Sequence, residues 1–218
     1  MHTNMNFPAP IAVLGFLGAV TGLGLCLLLI FIFVMVRKTK WMRWVGAVVA
    51  AGAIIYFGLL FGFSLFSREV TLAPGDEKYF CEIDCHLAYS VRASREELQA
   101  GHRQLHVTLR TRFDETTTAP WRPKSAPLTP NAREVRLLDG QRRSYLPDAV
   151  TGTPLTQALI PAQSYETELV FRVPPDARGL RLLVTTPGWE EHLLIGEENS
   201  LGHKKTYLAI STGERLSG

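Results

Sequence analysis

The first 66 residues of this 218-residue chain contain no aspartate and no glutamate. Their only lysines and arginines are Arg37, Lys38, Lys40 and Arg43. A water-soluble surface mixes charges of both signs, so this part is not a soluble domain. The other 152 residues hold all 20 acidic residues and the remaining 19 basic ones, a formal charge near −1. The sequence pI of 8.8 therefore reports one short basic loop. A nucleic-acid footprint needs a cationic face on a folded domain, and its lack excludes that partner class. Also missing are a Gly-x-Ser-x-Gly elbow, a phosphate-cradling glycine loop and a His-Glu-x-x-His pair. No catalysis is predicted, and no residue is assigned a catalytic role.

What fills the first part is apolar. Ala9 to Val36 runs 28 residues without a charge, and Trp44 to Phe66 runs 23 more. About 20 apolar residues cross the ~30 Å hydrocarbon layer, so both runs read as spans and the lipid bilayer is the first partner. The leader Met1 to Pro10 has no Lys or Arg, and the first run far exceeds the ~7–15 residues of a signal core, so cleavage is not expected. Between the spans, residues 37–43 carry four cations in seven positions. Positive loops stay in the cytoplasm, which places both termini and the domain of residues 67–218 outside, in the periplasm or beyond the cell. Gly18 with Gly22 and Gly58 with Gly62 have the spacing that lets helices pack closely, first on each other, otherwise on a second membrane protein. Neither span holds an ionisable acid, base or histidine, which favours an anchor over a transport path.

After Phe66 the apolar period drops to two. Tyr79, Cys81, Ile83, Cys85, Leu87, Tyr89 and Val91 alternate with polar neighbours and read as one long half-buried strand. Residues 94–102 then connect it, with a short helical turn possible at 95–99, to the alternating run Leu105 to Phe113. Further strands are expected at 134–138, 142–146, 165–173, 180–184, 193–195 and 206–210. Asp139-Gly140 lies between two of them as a hairpin turn. Seven or eight short strands with these turn signals predict an all-β, immunoglobulin-like antiparallel sandwich.

The stretches 135–147 and 158–174 resemble the telokin-like, immunoglobulin-like domains of unknown function found on bacterial surfaces, often on membrane anchors. Leu138, Asp139 and Tyr145 fit one motif of that family with shifted spacing. Leu159, Pro161, Leu169, Val170, Phe171, Val173 and Pro174 fit the second. Ala162 stands where the family has a turn glycine, and the asparagine that closes the family's second strand is not evident near Phe113-Asp114. The resemblance implies a sandwich on an anchor and says almost nothing about function.

The chemically suggestive stretch is Cys81-Glu82-Ile83-Asp84-Cys85-His86. Two thiolates with a histidine suit a soft metal, and the cysteine spacing is similar to the thiol pair of the binuclear copper site in cytochrome oxidase subunit two. Cys81, Cys85 and His86 are then the metal ligands, with copper the cofactor. Cys-x-x-x-Cys-His is also a rare variant of covalent haem attachment. A disulfide suits an oxidising compartment, but on a straight strand residues four apart lie ~13 Å apart, so it requires a turn. The plainest reading is two free thiols packed in the core. A harder ion has a different set, Glu82, Asp84, His86 and His106 on the polar face. Cys26, inside the first span, reads as a small apolar residue.

Residues 114–132 form a loop with four prolines and Trp121. Long loops of this kind are often functional, and Trp121 and Trp189 are the candidate contacts for a protein partner.

Overall fold

A computed structural model describes residues 1–81, 84–99, 102–118 and 120–210. The chain divides into two compact units. One comprises Met1–Asn4, Arg68–Gly188 and Lys204–Gly218; the other comprises Met5–Ser67 and Trp189–His203.

The second unit holds two helices, α1 (Ala9–Met35) and α2 (Thr39–Leu65). A proline in the first turn of α1 is tolerated because amides there have no intrahelical partner. The helix ends where Arg37 takes a left-handed conformation (φ 53°) and the Lys38 amide donates to the Phe33 carbonyl. At 27 residues each, both helices are long and apolar enough to cross a bilayer. Their side chains point outward: only Ala9 and Ala12 in α1, and Leu60 and Ser64 in α2, are buried. Helices in the core of a soluble protein hide the apolar residues that these two expose, such as Leu14, Phe31, Ile54 and Ile55. The glycine pairs do not serve the packing of the two helices. A Cβ added at Gly18, Gly22, Gly58 or Gly62 would meet no atom within 4 Å.

The 189–203 segment belongs to this unit and is not the strand expected at 193–195. It forms a 3-10 turn at Glu190–Leu193, followed by an irregular stretch with Leu194 and Ile195 buried. A short apolar run fits a strand or a packed loop equally well, and here the packing decides. Gly196 (φ 75°) accepts the Asn6 amide on its carbonyl, and a Cβ there would lie 2.5 Å from the Phe7 Cβ and 2.9 Å from its backbone nitrogen. Only glycine fits that position.

The first unit is a two-sheet β-sandwich. Its strands are β1 (His2–Thr3), β2 (Val70–Leu72), β3 (Lys78–Phe80), β4 (Leu87–Gln99), β5 (His102–Phe113), β6 (Glu134–Leu138), β7 (Ser144–Tyr145), β8 (Ala149–Gly152), β9 (Ser164–Val173), β10 (Arg181–Thr185) and β11 (Thr206–Ala209). One sheet runs β1-β3-β4-β5-β9-β8 and the other β2-β11-β10-β6-β7. Neighbours are antiparallel except at two edges, where β1 with β3 and β2 with β11 are parallel. Leu105, Val107, Leu109 and Phe113 of β5 and Leu169, Phe171 and Val173 of β9 face Leu137, Leu182, Val184 and Leu208 of the other sheet in one core. Each such fully buried side chain contributes about 1.5–3 kcal/mol before entropy is subtracted.

Three local expectations change. The long strand beginning at Tyr79 is interrupted: β3 stops at Phe80 and β4 starts at Leu87. Residues 94–99, expected as a connection, continue β4, which pairs with β5 as far as Gln99 with His102. A bulge between Val91 and Ala93 shifts the register, and the apolar alternation that marks a strand ends there. The Asp139-Gly140 turn is a five-residue loop built around the Asp139 carboxylate. It accepts from the amides of Gln141 and Arg143, the Arg143 guanidinium and the Tyr145 hydroxyl. Gly140 serves a close approach, its amide donating to the Arg178 carbonyl at 2.8 Å.

Ala162 has φ 71°. The Gln163 amide donates to the Ile160 carbonyl, so Ile160-Pro161-Ala162-Gln163 is a type II turn whose third position favours glycine. Ala162→Gly is expected to raise stability by about 0.5–1 kcal/mol, the left-handed strain removed less the added freedom of the unfolded chain. Urea unfolding of the two proteins checks this. Equal or lower stability of the glycine variant would show that the turn bears no strain.

Candidate functional site

Phe80 ends β3 because the chain must turn, and a disulfide holds that turn. Cys81 and Cys85 are bonded, with sulfurs 2.03 Å and Cα atoms 4.1 Å apart. The straight-strand geometry that opposed a disulfide therefore does not apply, and the reading of two free core thiols is corrected. The copper reading falls with it: sulfurs bonded to each other leave no thiolate for Cys81 and Cys85 to offer a metal. Covalent haem would consume the same two sulfurs and is excluded in the same way. Cys26 is a free cysteine.

His86, expected on a solvated polar face, is buried at 4% exposure. Its ring stacks on Phe113 at 5.4 Å between centroids. Its Nδ1 lies 2.7 Å from Thr117 Oγ1, and its Nε2 lies 2.7 Å from Asp84 Oδ2. The imidazole thus ties the disulfide loop to the 3-10 turn Glu115–Thr117 that follows β5.

The harder-ion set of Glu82, Asp84, His86 and His106 does not come together. Glu82 lies outside the described residues. Leu87 pairs with Phe113, so His106 sits seven residues further along β5, ~23 Å away at strand rise. There His106 contacts Glu168 at 3.0 Å and Glu97 at 3.6 Å. Among the described residues no three His, Cys, Asp or Glu side chains form a group able to hold a metal ion.

Beneath His86 lies a network the sequence did not announce. The Asp114 amide donates to the His86 carbonyl. Its Oδ1 accepts from the Thr116 amide and hydroxyl, capping the 3-10 turn. Asp114 thus closes the second long strand with a charged side chain, near the point where the resembling family has asparagine. Its Oδ2 accepts from the Tyr79 hydroxyl at 2.5 Å and from Arg112 at 3.1 Å. Arg112 also grips Glu77 with two bonds of 2.8 and 2.6 Å. Burial alone would raise the Asp114 pKa. The bonds from Tyr79, Thr116 and Arg112 overcome it and hold the carboxyl well below its usual range. Burial, with Asp114 and Glu77 close by, raises the Tyr79 phenol. Residue order hid this network because Tyr79 on β3 and Arg112 on β5 lie on strands that meet only through β4, with Asp114 just past the end of β5.

Asp84, His86 and Thr117 place a carboxylate, an imidazole and a hydroxyl in line. The adjoining cavity, lined by Phe80, His86, Leu128, Asn131 and Arg133 among others, holds only about 40 Å³. That is room for about three water molecules. The arrangement fixes two loops to each other. The two tryptophans singled out as contacts are both exposed: Trp121 at 85%, in the sandwich unit, and Trp189 at 73%, in the helical unit.

No family model matches the chain, and no curated protein does. Among solved structures the chain is similar to MPT63, a secreted protein from Mycobacterium tuberculosis, at 10% identity. The match covers 55% of this chain and 91% of that one with a TM-score of 0.38, and so faint a likeness carries no argument here.

Proposed function

We propose that this protein is a membrane-anchored accessory or binding module, its helical hairpin spanning the bilayer and its sandwich held on the outer side. The observation that carries the proposal is the pairing of two independent features. Outward-facing apolar helices meet at a cationic turn, Arg37 and Lys38 between them and Lys40 and Arg43 in the first turns of α2, and the domain that follows carries the Cys81–Cys85 disulfide. The positive loop favours the cytoplasm, and disulfides persist in oxidising compartments outside it. Both arguments put the sandwich on one side. The telokin-like resemblance of residues 135–147 and 158–174 fits the same role. Trp121, exposed in its proline-rich loop, is where we place the contact with a protein partner.

Topology is the first test. Ser125→Cys in the exposed loop should react with a membrane-impermeant maleimide in intact cells, and Lys38→Cys between the helices only after lysis. The opposite labelling pattern would overturn the proposal.

A further inference from the structure

We infer that the partner is another integral membrane protein, and that the loop between β5 and β6 receives from it an acidic segment lying just outside the bilayer. This rests on the anchored binding-module reading above and names the chemistry and the place of its partner.

The place follows from the strand registers of the sandwich. The loop leaves β5 at Phe113, which pairs with Leu87 at the start of β4, and Leu87 pairs with Phe80 at the end of β3. It enters β6 at Glu134, which pairs with Thr185 at the end of β10. Arg133 joins these two points: its guanidinium lies 4.3 Å from the Phe80 ring centroid and donates to the Thr186 hydroxyl at 3.1 Å. Arg122 lies 5.4 Å from the Phe113 ring centroid, so its neighbour Trp121 is held at the same end. The chain also leaves the sandwich at this end. Its boundary residues are Asn4, Arg68, Gly188 and Lys204. The Asn4 amide donates to the Tyr79 carbonyl, and its side chain accepts from the Cys81 amide just past Phe80. Arg68 and Lys204 stand two residues before Val70 and Thr206, the first pair of β2 and β11. The Lys78 amine donates to both the Val184 and the Thr206 carbonyls, which brings that pair to the same end. Gly188 comes three residues after Thr185. Arg68 is three residues beyond Leu65, the last residue of α2, at most ~11 Å of chain. The end that carries Trp121 is thus the end moored to the anchor, and a protein that reaches it comes close to the membrane.

The chemistry follows from charge. Residues 116–133 contain Arg122, Lys124 and Arg133 and no acid. The carboxylates described at this end are engaged elsewhere: Asp84 by His86, Glu77, Asp114 and Glu115 by Arg112, Glu134 by Arg136 and Glu69 by Arg181. Among the described residues Arg122 and Lys124 have no ion pair, and the buried Arg122 Nε–H has no acceptor. The loop is also held still. Four prolines restrict its backbone, Leu128 and Leu159 exchange amide bonds, and the Ala126 amide closes a turn on the Pro123 carbonyl. A fixed loop gives up little freedom on binding. It presents an exposed indole beside two uncompensated cations, and the complement is an extended segment with carboxylates next to an apolar residue. Lipid headgroups match less well. Clusters that recognise anionic lipid gather about 4–8 Lys or Arg, and this loop has three.

In the full chain, expressed in its own membrane, a photoreactive benzophenone amino acid takes the place of Trp121. A second protein carries it in place of Leu98, which is exposed at the opposite end of the sandwich. After illumination the adducts are mapped by mass spectrometry. Position 121 should capture another membrane protein through a segment rich in Asp and Glu that flanks a span. Arg122→Glu with Lys124→Glu should cut the yield about tenfold, and reversing the captured carboxylates to lysine should restore it. An adduct to lipid, to a soluble protein, to a second copy of this chain or to a segment without acidic residues overturns the inference, as does a yield indifferent to the charge reversal. Capture at position 98 in place of 121 also overturns it and leaves the binding-module reading standing. No adduct at either position removes both.

Discussion

Arg112→Met is expected to lower the unfolding free energy of the sandwich by about 3 kcal/mol, between the small value of exposed ion pairs and the 3–5 kcal/mol of fully buried ones. The Arg112 side chain is 21% exposed, that of Glu77 23% and that of Asp114 8%. The substitution keeps the volume of the stem and removes the charge. Asp114 then stays buried with Tyr79 and Thr116 as donors and no cation, and Glu77 loses both bonds from the guanidinium. The pH dependence separates this cause from a packing defect. Glu77 and Asp114 both have lowered pKa values in the folded protein. Groups of that kind stabilise the fold above their unfolded pKa of about 4, and the stabilisation is lost as pH falls through the lower folded values. The difference between the two proteins should be largest near neutrality and shrink below about pH 4. Urea unfolding in detergent, followed by near-UV circular dichroism across this range, gives the comparison. A gap that stays constant down to pH 3 would assign the loss to packing.

The strands legible in the sequence are those with one face on the core and one in water. β5 and β9 show this plainly: Leu105, Val107, Leu109, Leu169, Phe171 and Val173 are all buried at alternate positions. Residues 79–91 misled for the opposite reason. Tyr79, Phe80 and Cys81 are all buried, as are Leu87 to Val91 on the far side of the loop. No solvated face exists there for the alternation to report. The odd-numbered apolar residues run in phase across a turn with no glycine or proline to mark it. β8 escaped notice because Ala149–Gly152 is exposed throughout and carries no apolar signal.

The candidate site was legible in its residues and hidden in its geometry. Cys81, Cys85, Asp84 and His86 were visible as a cluster from their spacing. Which of them meet depends on the break between β3 and β4, and that break took His106 away and brought Thr117 in. The Ala162 position is a different case. The type II turn is favoured by Pro161, but an alanine at φ 71° leaves no signature in the sequence beyond the glycine missing from a resembling motif.

Replacing both Cys81 and Cys85 with serine is expected to lower the unfolding free energy by about 2 kcal/mol, the chain-entropy value for a five-residue loop. The effect should spread beyond the loop. The Cys81 amide donates to Asn4 Oδ1, and the Asn4 amide donates to the Tyr79 carbonyl, so the loop helps hold β1 on β3. At its other end, Asp84 and Thr117 bracket His86, and the Asp114 amide bonds its carbonyl. Hydrogen exchange at Cys81, Asn4 and Asp114 should quicken in the variant, and exchange in the middle of β5 and β9 should follow only the global loss. Reductant should reproduce the destabilisation in the native protein and leave the double-serine variant unchanged. Thiol titration of the denatured, unreduced native protein should find Cys26 alone among the three cysteines. Three reactive thiols in protein isolated from its own membrane would mean that the bond does not form there. The outer placement would then rest on the cationic loop alone, and Cys81 and Cys85 would return to the role of small apolar residues at the end of β3.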